Sequence, residues 1–266
     1  MKKIILLTSD SLRHSFMAKA IALDENIEVL KSYCERQSQI FKAQFSDEIQ
    51  RKHLEAREQS ERDFFESFVE LSPDYSNPCV IEKNQINTQE KIDEILCLKP
   101  DLLVAYGCSI IKPPLIKHFE GKILNVHLGL SPYYRGSGTN FFPFVNGELE
   151  YIGATFMIMD EGIDTGDIIH QIQAEIYPND DMHRIGNRLI AKIAKVYRVI
   201  IKEFENLQRL KQPKDKTSGR LYKNSDFTPF ATREAYKNFS FSLQNYFSQK
   251  KQVKILENPT LKELNL

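Results

Sequence analysis

The chain has no Cys-x-x-Cys pair, no apolar run near the ~20 residues needed to cross a bilayer, and no surplus of either charge. Its four cysteines, Cys34, Cys79, Cys97 and Cys108, are scattered and stand beside no paired histidines. Neither a zinc site nor a disulfide framework is supported, and no metal is expected. Without a spanning segment, no membrane association is expected. Met1-Lys2-Lys3 is charged like the start of a signal peptide, but the apolar stretch from Ile4 to Thr8 is too short to form its core. A cytoplasmic location is the expectation. Lys plus Arg and Asp plus Glu number 36 each, a formal net charge of zero. Nucleic-acid binders carry a basic excess to neutralise phosphates, so this balance argues against such a partner. No internal repeat or low-complexity tract is evident.

What is there suits a globular protein. A chain of 266 residues, 41% hydrophobic and 27% charged, can bury a substantial core. Lys3 to Thr8 predicts a strand. Leu12, Phe16, Ala20 and Leu23 follow at helical spacing after Ser9 and Ser11, both candidate caps, and Ile27 to Tyr33 predicts a second strand. This β-α-β opening predicts a doubly wound, mainly parallel α/β sheet. Residues 35–71 contain neither Gly nor Pro, which predicts one or two long helices. Phe41, Phe45, Ile49, Leu54, Phe64, Phe65 and Phe68 form their packing stripe. Arg51, His53, Arg57 and Arg62 read as a solvated face that could also reach an acidic substrate. The segment 79–87 is ambiguous. Thr88 to Leu98 predicts a helix, Leu102 to Tyr106 a strand, and Lys112-Pro113-Pro114 the start of a short helix. Asn140 is the expected cap of another helix. Tyr151 to Met159 and Asp167 to Tyr177 read as strands. Pro178-Asn179-Asp180-Asp181 is the expected cap of a long helix striped by Ile185, Leu189, Ile193, Val196, Ile200 and Phe204. We divide the chain into a main domain, 1–210, and a linker with a helical appendage, 211–266.

The chemistry is concentrated between residues 123 and 170. Ile123 to Leu128 reads as a strand whose side chains alternate faces. Asn125 and His127 therefore share one face of a buried strand, a costly placement unless something pairs with them. Gly129, Ser131 and Pro132 end the strand, which puts the pair at its carboxyl edge, where open α/β sheets bind ligands. Asp164 follows in Asp160-Glu161-Gly162-Ile163-Asp164-Thr165-Gly166-Asp167, where two glycines permit a tight loop. The expectation is that this loop folds back to bring Asp164 to His127. A carboxamide can then donate to an oxyanion, an imidazole can move a proton near neutral pH, and a carboxylate can hold the imidazole charged. No Ser or Cys pairs obviously with His127, so the attacking group arrives with the substrate. The bland alternative is that Asn125 and His127 satisfy each other in the core and Asp164 only forms a turn.

Asn125-x-His127, the run Leu130-Ser131-Pro132-Tyr133-Tyr134-Arg135-Gly136 and the turn Asp160 to Gly166 together resemble the folate-dependent formyltransferases. That family acts on glycinamide ribonucleotide, methionyl-tRNA and amino sugars, and the resemblance spans roughly residues 95 to 206. It implies that Asn125, His127 and Asp164 are catalytic. It assigns Tyr106, Gly107, Ser109, Ile110 and Ile111, with Asp160, Glu161, Gly162 and Ile163, to the formyl donor 10-formyltetrahydrofolate. It assigns Tyr133, Tyr134 and Arg135 to a small-molecule amine acceptor. The first turn, Thr8 to His14, departs from the pattern. Glycinamide ribonucleotide enzymes carry a Gly-rich phosphate loop there, and this turn has no glycine. Arg13 and His14 could still meet an anion at the helix N-terminus. The tail is too short for the RNA-binding barrel of methionyl-tRNA enzymes. Packing on the domain, closing over substrate or pairing a homodimer all stay open for it. The resemblance thus points to a nucleotide-linked amino sugar as acceptor. Glycinamide ribonucleotide and methionyl-tRNA are the alternative acceptors, and formyltetrahydrofolate hydrolysis and a non-catalytic folate- or nucleotide-binding role are the further alternatives.

Overall fold

The computed structural model describes residues 1–36, 47–212, 219–249, 251 and 253–263. Phe41 and Phe45 of the expected stripe lie outside them. Strand β1 (Lys2–Ser9), helix α1 (Leu12–Ala22) and strand β2 (Ile27–Glu35) form the predicted opening unit, with β1 and β2 parallel. Among its described residues, the Gly-free stretch carries one long helix, α2 (Glu48–Leu71). Its cap, Asp47, accepts the Ile49 N–H at 3.0 Å. The ambiguous segment begins with a short edge strand, β3 (Pro78–Ile81), and leads through helix α3 (Gln89–Leu98) to β4 (Leu102–Ala105). Helix α4 (Pro113–His118) opens on a proline, as expected, and precedes β5 (Ile123–His127).

The sheet runs β3-β2-β1-β4-β5-β7-β8. Its first five strands are parallel. Strands β7 (Gly153–Ile158) and β8 (Ile168–Gln173) extend it antiparallel beyond β5. Helices cover both faces. Ile4, Leu6, Val104, Leu124 and Val126 pack under α1, α2 and α6 (Met182–Lys202). Ile5, Leu7, Leu103, Ala105 and Ile123 pack under α3 and α4. Asp181 caps α6 through the N–H groups of His183 and Arg184, both at 2.9 Å. From α6 the buried Tyr197 hydroxyl reaches the carbonyls of Ala105 and Leu124, 2.9 Å each, and ties the helix to the strands that carry the site.

One expected cap differs. Helix α5 (Phe142–Asn146) starts two residues later than Asn140, whose side-chain oxygen instead accepts the Gly153 N–H at 3.3 Å. The tail contributes strand β9 (Arg220–Tyr222), helix α7 (Pro229–Gln249) and helix α8 (Pro259–Glu263). Its Ala235 and Leu261 are 0% exposed in the main core. Asn258 donates to the carbonyls of Ile169 and Gln208 at 3.0 and 2.8 Å, beside the outermost strand β8. Strand β9 forms a second, two-stranded sheet with β6 (Tyr134–Gly136). No helix among the described residues is long and apolar enough to cross a membrane.

Candidate active site

Strand alternation explains where Asn125 and His127 point. Ile123 lies under α4, so Asn125 and His127, two and four residues on, share its face beyond the helical cover. His127 is buried and Asn125 half-buried. The two do not satisfy each other. The Asn125 carboxamide has no hydrogen-bond partner among the described residues, while His127 uses both ring nitrogens elsewhere. His127 Nε2 donates to the Tyr134 carbonyl at 3.0 Å, and Nδ1 lies 3.3 Å from Asp164 Oδ2. The ring can donate to both acceptors at once only as the imidazolium. Gly129 makes room for it, since a Cβ there would sit 2.7 Å from Nε2.

Asp164 reaches this position by a long excursion. Its loop leaves the sheet where the Met159 N–H meets the Ile123 carbonyl, at the far end of β5. Four residues of strand, about 13 Å, separate that point from His127. The loop is stapled by Asp160, whose carboxylate accepts the Gly162 N–H at 3.0 Å and the Thr165 hydroxyl at 2.8 Å. Its glycines serve close approach. A Cβ on Gly166 would lie 1.7 Å from the Ile158 carbonyl oxygen, and one on Gly162 2.0 Å from Thr165 Oγ1. The left-handed residue is Asp164 itself, at φ 52°, a conformation that aspartate tolerates better than most residues. Oδ2 also accepts the Gly136 N–H at 2.8 Å. Behind the loop, Gln212 Nε2 donates to the carbonyls of Asp164 and Gly166 at 2.9 and 2.8 Å.

The segment 106–111 follows β4, whose Ala105 pairs with Asn125. Gly107 has φ 69°, and a Cβ there would lie 2.1 Å from His14 Nε2. The Ser109 N–H donates to the buried Glu35 carboxylate at 2.6 Å. Asn87 donates to the Ile110 carbonyl and accepts the Lys112 N–H. The segment is therefore held rigidly from behind. Ile110 is 74% exposed and, on the Asp164 loop, Ile163 is 51% exposed, while Ile111 is buried. Glu161 is exposed. Exposed isoleucines thus stand on both loops that border Asn125 and His127. Burial pushes the thiol of neighbouring Cys108 up to about 12, which leaves it a neutral packing group.

Two residues expected at the acceptor have other work. His14 is 2% exposed. Its Nδ1 faces the hydroxyls of Ser9 and Ser11, and its ring lies 4.8 Å from that of Tyr106. Burial, then Arg13 and Arg57, hold it well below the usual histidine range. Tyr134 is 1% exposed. Its hydroxyl donates to Glu148 and accepts from Asn146 and Arg220. Tyr133 packs edge-on against Tyr151 at 5.1 Å. Arg135 differs from His14 and Tyr134, its Nε being buried with no hydrogen-bond partner among the described residues. Arg13 reaches Glu61 at 3.2 Å, and Arg57, expected on a solvated face, approaches the same carboxylate at 3.5 Å. The Arg13 Nε, the His183 Nε2 and the Tyr106 hydroxyl are buried with no hydrogen-bond partner among the described residues, whereas the Arg57 Nε faces Glu61. Arg57 and Glu61 were legible as an i,i+4 pair. Glu35, Gln212 and Arg220 carried no local signal beyond a carboxylate closing an apolar strand.

Comparison with known proteins places the chain in a family. The family model described as Formyl transferase matches residues 31–201, well over half of the chain. The methionyl-tRNA formyltransferase of Desulforamulus reducens is 37% identical over 127 residues, 47% of this chain and 39% of that protein. The enzyme of the same description from Alkaliphilus oremlandii is 31% identical over 157 residues, 58% of this chain and 48% of that protein. The chain thus spans less than half the length of these curated relatives. In fold it is similar to the formyltransferase PseJ from Anoxybacillus kamchatkensis, solved with a UDP-linked formamido sugar and tetrahydrofolate (TM-score 0.51, 20% identity, 90% of this chain and 99% of that one). It is also similar to the N-formyltransferase from Helicobacter canadensis, solved with folinic acid and dTDP-3-aminofucose (TM-score 0.57, 18% identity, 90% and 81%). The matched segment takes in Asn125, His127 and Asp164 and most of the strands that position them; the chain belongs to the formyl transferase family.

Proposed function

We propose that the chain transfers a formyl group from 10-formyltetrahydrofolate to the primary amine of a small acceptor, a nucleotide-linked amino sugar. The observation that carries the reaction is the pairing of His127 with Asp164 beside an unengaged Asn125 carboxamide. The loops bordering the site suit the donor. A flat ring is held by apolar walls with a few fixed polar groups, and Ile110 and Ile163 offer such walls on segments fastened from behind. The Ser109 N–H is already engaged by Glu35, so other backbone groups of 107–111 meet the ring's polar edge.

The folate supplies an activated formyl group as co-substrate. The acceptor amine attacks its carbon, the new C–N bond forms, and the bond to the folate nitrogen breaks as that nitrogen gains a proton. Asn125 donates its amide N–H to the oxygen that becomes negative. His127, with both nitrogens committed to protein acceptors, adds positive charge beside that oxygen. Asp164 keeps the ring in place and accepts the amine's proton through water, and the same water relay passes that proton on to the leaving folate nitrogen.

The acceptor assignment rests on the anion-binding groups. Arg13 and Arg57 both face Glu61, Arg57 through its Nε, and the Arg13 Nε–H is buried with no hydrogen-bond partner among the described residues. Tyr106, whose hydroxyl feels the Arg13 charge, lies one residue past the strand pair Ala105–Asn125. A compact cluster of this kind suits the phosphates of a small ligand; an extended nucleic-acid backbone calls for an exposed basic stripe and a basic excess. The descriptions of the sequence relatives favour methionyl-tRNA as a second reading. A single-turnover assay with UDP- and dTDP-linked 3- and 4-amino sugars, glycinamide ribonucleotide and methionyl-tRNA decides between them. Transfer to an amino sugar at least about tenfold faster than to the others is expected. Transfer to methionyl-tRNA alone would overturn the acceptor assignment, and formate release without any amine would point to hydrolysis.

A further inference from the structure

Strand β6 is short, but its two edges do different things. In a strand, alternate residues direct their N–H and C=O groups to the same edge. The Tyr134 carbonyl and the Gly136 N–H therefore share one edge. The first accepts from His127 Nε2 and the second donates to Asp164 Oδ2. The opposite edge is taken by the tail. The Arg220 N–H donates to the Tyr133 carbonyl at 2.8 Å, and the Ser137 N–H donates to the Tyr222 carbonyl at 2.9 Å. β9 thus lies along the back of the strand that serves both members of the pair.

Side chains clamp this join. Arg220 makes a fork to Glu148 at 2.6 and 2.9 Å and donates to the Tyr134 hydroxyl at 2.7 Å. The Tyr222 ring stacks on Phe142 at 3.7 Å, and its hydroxyl accepts from Asn146 at 2.9 Å. The two backbones meet closely. A Cβ on Gly136 would lie 2.2 Å from the Tyr222 carbonyl, and one on Gly219 2.2 Å from that of Pro132.

We infer that Arg220 is a positioning residue for the reaction: through β9 it holds β6 in the register that aligns His127 with Asp164. This rests on the reading of that pair as catalytic. Arg220 has no hydrogen bond or ion pair to the His127 ring or the Asp164 carboxylate. It acts through the Tyr134 carbonyl and the Gly136 N–H.

The test uses the full-length protein with nitrogen-15-labelled histidine, the His127 signals being assigned by their loss in His127→Gln. Arg220→Ala is expected to shift the His127 Nε2 resonance toward that of an unbonded nitrogen. It should lower kcat about tenfold, as a misplaced catalytic group does, with KM for the folate within about twofold. Arg220→Lys should recover part of both. Glu148→Gln loosens the fork while keeping an acceptor for Tyr134, and should move the same resonance in the same direction. If Arg220→Ala does not fold, Glu148→Gln alone decides. Unchanged His127 signals and unchanged kcat in the folded variants would overturn the inference. The resonance is read without turnover, so the two readings fail separately. A shifted signal in a protein that transfers no formyl group would sink the proposed reaction and leave the positioning intact.

Discussion

Asn125, His127 and Asp164 make separable contributions, and their variants should differ in kind. Losing one oxyanion donor typically costs on the order of a hundredfold or more in rate. Asn125→Ala and His127→Ala should each reduce single-turnover formyl transfer by at least that factor with melting temperature little changed; near-normal turnover in both would refute the mechanism. Asp164→Asn is the sharper variant. It keeps an oxygen for the Gly136 N–H and removes the negative charge facing His127 Nδ1. It should fold like the parent and still lose about a hundredfold in rate. The shared face of Asn125 and His127 was legible because strand periodicity is a local property. The left-handed backbone at Asp164 was not. Two glycines in the loop invite the view that they take the unusual dihedral angles, whereas the structure uses both for clearance and bends at the aspartate. Such a conformation, held by its surroundings at a reactive carboxylate, is the kind that working sites retain.

Loops and strands show the same division. The opening β-α-β unit, α2 and the α6 stripe follow from patterns of four or more residues and appear nearly where expected. Strands β6 and β9 have three residues each, too few for periodicity, and 86 positions separate Tyr134 from its partner Arg220. Only the folded chain shows that the segment after 211, which reads as a linker and appendage, adds a strand behind the site and residues to the core. The loop glycines make a direct test of packing. Gly166→Ala places a methyl group against the Ile158 carbonyl, which backbone movement alone can relieve. Overpacking of this sort costs about 1–3 kcal/mol, several degrees in Tm for a chain this long. Because the loop carries Asp164, turnover should fall far more than stability. Calorimetry and a rate measurement on the same preparation check this; a folded, fully active Gly166→Ala protein would contradict the described loop.

The molecule as a whole carries a pH dependence that its zero net charge conceals. Burial lowers His170 to about 4 and His53 to about 3, and His14 and His183 shift the same way. His170 Nδ1 accepts the Asn258 N–H at 3.1 Å, which requires a free lone pair there. In the unfolded chain these rings protonate near 6.5. Above that pH they are neutral in both states and add no penalty. As pH falls from about 6.5 toward 4, the unfolded chain takes up protons that the folded one refuses, and each such group costs about 1.4 kcal/mol per pH unit. Tm should therefore fall across this window, and His170→Gln should flatten the slope; an equally steep profile in that variant would show that His170 contributes nothing. The placement of β9 has a further consequence, one of timing. Closing a contact across so many residues is slow relative to forming local structure. On the ribosome, the strand that serves His127 would lack its strand partner until residue 222 had emerged, so chemical competence would wait on residues made long after the pair itself.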